Sequence, residues 1–176
     1  CMVPMNILDE KAHADYTDTG IWAAKAIKEA KRFGTVNVVS SSKADVYNHI
    51  PKDFKQTEGA AYLHVTSNNT IYGTQWKNFP EAATYLDADM SSDILSRKID
   101  VSKFGLIYAG AQKNMSCAGV TLAIIRKDIL GKVERSIPTM LDYATHIPEH
   151  SMFNTPPVFP IYVMNRTLSW LKENGG

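Results

Sequence analysis

The chain has 176 residues, of which 44% are hydrophobic and 21% are charged, and its formal net charge is +1. This composition excludes a disordered chain and predicts one globular domain with a sizeable core. The near-zero charge, without clustered Lys and Arg, does not favour nucleic acid or an anionic membrane as a partner, and no apolar run reaches membrane-spanning length. Two cysteines make no disulfide framework, so we expect a reducing compartment.

Taken in chain order, short apolar runs alternate with helical or irregular connections. The first run, Met2–Leu8, predicts a strand, and residues 15–20 predict a polar turn in which Asp18 or Thr19 caps a helix over Ile21–Phe33. Later strands are predicted at Val36–Ser40, Ala60–Val65, Thr84–Ala88, Leu106–Ala109 and Val120–Arg126, a short helix or turn at Lys127–Arg135, and a helix at Pro160–Leu171. This alternation predicts an α/β domain with a mostly parallel sheet.

Polar side chains follow several of these strands. Asn69 and Thr70 come after one strand, Asp89 after the next, and Gln112 and Lys113 after a third. Ligands of parallel sheets bind beyond the carboxyl ends of the strands. We therefore expect these side chains to share one crevice.

An aspartate and a lysine in one crevice suit pyridoxal phosphate. Lysine forms a Schiff base with the aldehyde of this cofactor, and a carboxylate keeps the pyridine nitrogen protonated so that the ring accepts electrons. The freed amine then carries a proton to or from the substrate Cα. Position alone, however, favours an exposed loop lysine for Lys113 and a helix cap ahead of residues 90–96 for Asp89.

Other candidates also have two interpretations. Trp22 either packs in the core or offers a flat surface to a cofactor ring. Thr70 is either a turn hydroxyl or a donor to the phenolic oxygen of the cofactor. Asn154 and Thr155, taken alone, are turn residues before two prolines.

Two further kinds of site are not indicated. His146 and His150 are the two histidines that lie close together, and Pro148 between them argues against a shared helical face, so we expect no metal site. A Walker-type glycine-rich loop and a GxGxxG pattern are both missing from the sequence.

One continuous stretch, Ala88-Asp-Met-Ser-Ser-Asp-Ile-Leu-Ser-Arg-Lys-Ile-Asp-Val-Ser-Lys-Phe-Gly-Leu-Ile-Tyr-Ala-Gly-Ala-Gln-Lys-Asn114, spans the ends of two predicted strands. Seven shorter stretches contribute to the same resemblance, and they are Met2–Leu8, Gly20–Trp22, Ser67–Gly73, Ala118–Thr121, Arg126–Gly131, Leu141–Tyr143 and Ser151–Pro157. Together they closely resemble the phosphoserine aminotransferase family over nearly the whole chain.

The resemblance implies the large domain of a class V, fold-type I aminotransferase across residues 1–176, a three-layer αβα structure that binds pyridoxal phosphate. It makes Lys113 the Schiff-base lysine and places Asp89 on the pyridine nitrogen. It also places Trp22 on the ring face, Thr70 on the phenolic oxygen and Gln112 near the cofactor phosphate.

The resemblance also implies a homodimer with shared active sites. The family residues that match Asn154 and Thr155 reach the phosphate of the cofactor in the neighbouring subunit. One departure is local: where the family usually has Gly-Pro after the lysine loop, this chain has Ser116-Cys117. We expect the chain to be a central large-domain portion, without the N-terminal segment and the C-terminal small domain of the family.

The implied reaction is transamination in cytoplasmic serine biosynthesis. It interconverts 3-phosphohydroxypyruvate and glutamate with O-phosphoserine and 2-oxoglutarate, which are small amino and oxo acids. Two alternatives remain from the sequence. One is another fold-type I enzyme of the alanine–glyoxylate aminotransferase or cysteine desulfurase type, and the other is a folded but non-catalytic fragment.

Overall fold

A computed structural model describes residues 1–175. The α-helices are α1 (Met2–Ile7), α2 (Ile21–Ala30), α3 (Tyr143–His146) and α4 (Val158–Glu173). The strands are β1 (His13–Asp18), β2 (Thr35–Ser41), β3 (Leu63–Thr66), β4 (Asn68–Asn69), β5 (Thr74–Gln75), β6 (Leu86–Asp89), β7 (Phe104–Gly110) and β8 (Thr121–Ile125). Within this described range, the helices are all too short or too polar to cross a membrane.

Six strands form the central sheet, in the order β2-β1-β3-β6-β7-β8. Every neighbouring pair from β2 to β7 is parallel, and β8 runs antiparallel to β7 at the edge. Strands β4 and β5 form a separate antiparallel hairpin. The mostly parallel sheet with its helices confirms the predicted α/β fold class.

The core lies on both faces of this sheet because successive strand side chains point to opposite sides. On one face Val65, Ala88 and Ile107 pack with Trp76 and the turns that follow the strands. On the other face the buried residues of the sheet pack against the first two helices, and they include Tyr16, Tyr62 and Leu106 with Val3 and Ile27. The four central strands β1, β3, β6 and β7 are therefore buried, whereas the outer strands β2 and β8 remain partly exposed.

The predicted strand over Met2–Leu8 is wrong, because this segment forms α1. Pro4 lies in the first turn of the helix, where its missing N–H costs no hydrogen bond. Asn6 donates to the carbonyl of Leu141 at 2.8 Å and accepts from the Tyr143 N–H at 2.9 Å. The helix is thus held by residues far along the chain, which the local pattern could not show.

The predicted polar turn over residues 15–20 is also wrong, because most of it belongs to the buried strand β1. Asp15 accepts hydrogen bonds from the Thr57 N–H at 2.6 Å and from the Asn37 amide at 3.3 Å. The hydroxyls of Tyr16 and Tyr62 lie 2.7 Å apart. Polar groups can enter a core when such partners satisfy them, and these partners come from distant segments.

Several element boundaries also differ from the prediction. Helix α2 begins at Ile21 as predicted, but its N-cap is Gly20, so neither Asp18 nor Thr19 caps it. Residues 91–95 form turns rather than the helix that a cap at Asp89 would require, and the segment at 127–135 contains a 3-10 turn at Lys127–Ile129. Helix α4 begins before and ends after the predicted segment.

Removing the side chain of Leu106 tests the core between the sheet and its helices. Leu106 is fully buried in β7, so Leu106→Ala should lower the free energy of unfolding by roughly 2–5 kcal/mol. Urea denaturation of the intact protein measures this change. Val101→Ala is the matched control, because Val101 is exposed just before the same strand and should change stability by less than about 0.5 kcal/mol. Equal effects of the two variants would contradict this packing.

Candidate active site

Three parallel strands end together at one edge of the sheet. In the register of β3, β6 and β7, Thr66 lies beside Asp89, and Asp89 lies beside Tyr108. Because the strands are parallel, the loops that leave their carboxyl ends meet at this edge. The predicted convergence of polar strand exits therefore has a structural basis.

A cleft of about 200 Å³ opens at this edge. The lining side chains come from four segments of the chain, and they are Trp22, Thr66, Asn68, Asp89, Ser91, Ser92, Gln112 and Lys113. Four of these residues were predicted from the sequence: Trp22, Asp89, Gln112 and Lys113. The cleft thus brings together an indole ring, a carboxylate, an amide and an amine.

The carboxylate of Asp89 is held at the floor of the cleft by Ser91. Asp89 Oδ1 accepts from the Ser91 N–H at 2.9 Å and from the Ser91 hydroxyl at 2.6 Å. The Ser91 hydroxyl in turn accepts from the Gly110 N–H at 3.1 Å, at the end of β7. A short hydrogen-bond chain therefore links Asp89 to the strand that leads to Lys113.

Lys113 extends from a turn that directly follows β7. The turn closes because the carbonyl of Ala111 accepts from the N–H groups of Met115 and Ser116 at 3.1 and 2.8 Å. Met115 is buried in the core, whereas Lys113 is exposed at the cleft. The buried side chain of Met115 thus anchors the turn, and the amine of Lys113 remains accessible to a ligand.

Gln112 lies over the backbone of Gly110. An ideal Cβ atom at Gly110 would lie 2.6 Å from Gln112 Oε1, so the Gln112 amide packs against the end of β7.

Trp22 lies in the first turn of α2 and is 45% exposed. The start of this helix is packed tightly, since a Cβ at Gly20 would approach Asn69 Oδ1 to 2.7 Å. Asn69 is itself buried and donates to the hydroxyls of Thr19 and Thr74. These contacts orient the helix start so that the indole reaches the cleft instead of the core.

The remaining predicted site residues lie outside the cleft. Thr70 is exposed in the β4–β5 hairpin and is not among the lining residues. Asn154 and Thr155 are exposed between α3 and α4, where the Asn154 amide donates to the carbonyl of Thr155 at 3.3 Å. The roles that the resemblance assigns to these three residues stay predictions.

Four lining residues were not singled out as site residues from the sequence: Thr66, Asn68, Ser91 and Ser92. Ser91 and Ser92 follow β6, which ends at the predicted residue Asp89, whereas Thr66 and Asn68 lie at the exit of β3. The polar strand exits were therefore the available signal. Thr66 has a buried hydroxyl oxygen without a hydrogen-bond partner among residues 1–175. A buried unpaired hydroxyl beside a cleft is a position where a ligand can supply the partner.

A larger cleft of about 560 Å³ lies at the opposite end of the same strands, beside Leu86 and Phe104. Its Arg97 donates to the carbonyls of Trp76 and Lys77 and packs over the ring of Phe79. That guanidinium is therefore used to hold local structure. The chemistry of the smaller cleft makes it the better candidate.

The residues of the smaller cleft fit pyridoxal phosphate. An exposed indole face suits a flat aromatic ring, and a carboxylate can accept from a protonated ring nitrogen. An exposed lysine can bond to an aldehyde, and the unpaired Thr66 hydroxyl and the Gln112 amide can meet polar substituents. Within the described part of the chain no cluster of three or more His, Cys, Asp or Glu could hold a metal ion.

A buried polar layer lies beside the cleft on the same face of the sheet. His64 and Asp87 are neighbours in register on β3 and β6, two residues before Thr66 and Asp89. Neither oxygen of Asp87 has a hydrogen-bond partner within residues 1–175, and burial raises the pKa of this carboxyl well above its ordinary value. Asp87 therefore keeps its proton under conditions where an exposed aspartate loses it.

Comparison with known proteins agrees with this geometry. The family model described as aminotransferase class-V matches residues 1–176. A phosphoserine aminotransferase of Parabacteroides distasonis is 60% identical over 176 residues, which is 100% of this chain and 49% of the relative. The chain thus spans about half the length of the relatives it matches.

Solved structures show the same similarity. One phosphoserine aminotransferase, studied for radiation damage of its Schiff base, superposes with a TM-score of 0.94 at 53% identity, over 99% of this chain and 49% of that one. A phosphoserine aminotransferase of Trichomonas vaginalis with pyridoxal phosphate bound has a TM-score of 0.89 at 38% identity, over 99% of this chain and 50% of that one.

Replacing Asp87 by Asn tests its buried neutral state. The unfolded chain releases this proton near pH 3.8, while the folded protein keeps it because its pKa is raised. Above that pH the unfolded state binds fewer protons, so this group's contribution to stability falls by about 1.4 kcal/mol per pH unit until the folded pKa is reached. Asp87→Asn should remove that decline, as measured by urea denaturation of both proteins at several pH values.

Asp100→Asn is the control for the Asp87 experiment. Hydrogen bonds from the Ser102 hydroxyl and N–H lower the pKa of exposed Asp100. Its contribution to stability is therefore present above the unfolded pKa and is lost as pH falls, which is the opposite sign. Parallel stability profiles for wild type and Asp87→Asn would show that Asp87 is ionised in the folded protein.

Proposed function

Because the chain belongs to the class-V aminotransferase family, we propose that it forms the cofactor-binding part of a phosphoserine aminotransferase. The intact protein transfers an amino group between O-phosphoserine and 2-oxoglutarate, and the products are 3-phosphohydroxypyruvate and glutamate. Reversal of this transfer supplies O-phosphoserine for serine biosynthesis.

One observation carries the proposal. Lys113, Asp89 and the exposed face of Trp22 line a single cleft at the carboxyl ends of parallel strands, in a chain that is 60% identical to a phosphoserine aminotransferase. A lysine, a carboxylate and an aromatic face are the groups that bind, polarise and stack on pyridoxal phosphate. Any one of the three alone would be unspecific.

Pyridoxal phosphate supplies an aldehyde that bonds to amines and a ring that accepts electrons. Lys113 would hold the cofactor through its aldehyde, and the lysine amine, once released, would carry the proton at the substrate Cα. The Asp89 carboxylate would accept a hydrogen bond from the ring nitrogen and favour its protonated form. The Trp22 indole would stack on the cofactor ring and exclude water from it.

The polar groups at the rim orient the cofactor. Gln112 would hold the cofactor phosphate, and the Thr70 hydroxyl would donate to the phenolic oxygen. Asn154 and Thr155 contact the cofactor phosphate in a second subunit. This assignment explains why both are exposed and distant from the cleft of their own chain, and it makes the active unit a homodimer with shared sites.

The compartment follows from the cysteines. Cys1 and Cys117 are both exposed and free. Unpaired exposed thiols suit a reducing environment, so we assign the reaction to the cytoplasm.

Chemical trapping tests the role of Lys113. Borohydride reduction of the intact protein loaded with pyridoxal phosphate should attach the reduced cofactor to the peptide that contains Lys113, as read by peptide mass spectrometry. Lys113→Ala should lose this adduct and the absorbance of the bound cofactor near the visible edge. Lys113→Arg keeps the positive charge but should also lose the adduct, because a guanidinium is not a nucleophile at neutral pH.

Lys103→Ala is the matched control, since Lys103 is also an exposed lysine beside β7 but at the opposite end. It should keep the adduct unchanged. A reduced cofactor on another lysine, with Lys113→Ala still fully labelled, would overturn the assignment.

The amino donor separates this function from the two alternatives. O-phosphoserine or glutamate should bleach the bound-cofactor band in a single turnover and yield the matching oxo acid, detected by mass spectrometry. Alanine and cysteine should react at least about 100-fold more slowly, because they lack the groups for which a site selective for phosphate and dicarboxylate provides partners. Preference for alanine or cysteine would favour the other enzyme types, and a protein that binds the cofactor but reacts with no donor would favour the non-catalytic alternative.

A further inference from the structure

The structure suggests how the carboxylate of Asp89 is held from behind. On the face of the sheet that carries His64 and Asp87, Tyr108 lies beside Asp89 in the register of β6 and β7. His64 Nε2 lies 3.1 Å from the Tyr108 hydroxyl. Because β6 lies between β3 and β7, the Tyr108 side chain crosses β6 next to Asp89 to reach His64. Burial, followed by the nearby Asp89 charge, raises the pKa of Tyr108 well above its ordinary value. The three side chains therefore come from three adjacent strands, and Asp89, on the middle strand, is the one that lines the cleft.

The direction of these hydrogen bonds is determined by chemistry. An ionised carboxylate only accepts hydrogen bonds, so the Tyr108 hydroxyl beside it would donate its single proton to Asp89. The Tyr108 oxygen must then accept from His64, which requires the proton of the neutral imidazole to be on Nε2. His64 Nδ1 has no hydrogen-bond partner among residues 1–175, as expected for the unprotonated nitrogen of that tautomer.

The surroundings keep His64 rigid and neutral. Its ring is buried and stacks on Tyr16 with centroids 4.7 Å apart and an interplanar angle of 20°. Burial lowers the pKa of His64 to about 4, against the opposing effect of the Asp89 charge. A neutral imidazole donates without adding a positive charge that would compete for the carboxylate.

We propose that Tyr108 and His64 are positioning residues that hold the Asp89 carboxylate in place to receive the protonated ring nitrogen of the cofactor. A carboxylate has about four lone-pair positions. The Ser91 N–H and the Ser91 hydroxyl occupy two of them, and the proposed donation from the Tyr108 hydroxyl takes a third. The remaining position is available to the cofactor.

This inference rests on the proposed function, and its consequence concerns where the ring proton lies. Donors to a carboxylate stabilise its charged form. Loss of the Tyr108 hydroxyl makes Asp89 more basic, so the proton shared with the ring nitrogen moves from the ring toward Asp89. His64 acts one step further back, and its loss should move the proton in the same direction by a smaller amount.

Tyr108→Phe in the intact protein loaded with ¹⁵N-labelled pyridoxal phosphate tests the proposal. The ring-nitrogen NMR shift should move from the protonated toward the unprotonated value. The cofactor dissociation constant should rise about 10-fold or more, because a hydrogen bond to a charged group is lost. His64→Leu should give a smaller change of the same sign, whereas His64→Gln retains an N–H donor and should restore the wild-type shift.

Tyr62→Phe is the matched control, because it removes a buried hydroxyl of the same face that pairs with Tyr16 and not with Asp89. It should leave the ring-nitrogen shift unchanged. An unchanged shift in Tyr108→Phe, or an equal change in Tyr62→Phe, would overturn the positioning role. Failure of the wild-type protein to bind the cofactor would instead overturn the proposed function.

Discussion

The parallel pairing of β6 with β7 is the constraint on which the cleft depends. It places Asp89 beside Tyr108 and carries the chain from there to the turn of Lys113. A slip of one residue would bring Ile107 or Ala109 beside Asp89 and would shift the lysine turn by about 3.3 Å. The core on the other face of the sheet opposes such a slip, because the slip would move Ile107 out of the core cluster. An irregularity between Leu86 and Asp87 lies at the entry to this register.

The same pairing gives two carboxyl groups on one strand different environments. Asp87 is enclosed without a hydrogen-bond partner in the described chain, so it keeps its proton. Asp89, two residues later, reaches the strand end, accepts from Ser91 and faces the cleft. Position along the strand thus decides the difference, because hydration and hydrogen-bond donors are available only at the carboxyl edge. Burying the polar side chains on the face of the sheet that carries His64 and Asp87 costs desolvation free energy. Its tyrosines and His64 lower this cost because they form hydrogen bonds with one another.

Sequence reasoning succeeded where the signal was local and failed where it was distant. Apolar runs followed by polar residues predicted the exits of β6 and β7, and with them the meeting of Asp89, Gln112 and Lys113. Strand β1 was missed because its Asp15 looks like a turn residue until the Thr57 N–H is known to satisfy it. Helix α1 was missed because Asn6 holds it to a segment near Leu141. The links through Ser91, Tyr108 and His64 required strand order and register, which a single sequence does not contain.

By itself, the sequence determined the α/β class, the family and the residue types available for the chemistry, because apolar alternation and the long match over Ala88–Asn114 are properties of the chain in one dimension. Tertiary structure alone decided which of those residues share a cleft and which remain outside it, since Trp22 enters from another segment while Thr70, Asn154 and Thr155 do not line the cleft. Tertiary structure also decided which buried groups beside the cleft, such as Asp87 and His64, are neutral. Burial and hydrogen-bond direction depend on neighbours in space, and these are set by how the strands pair.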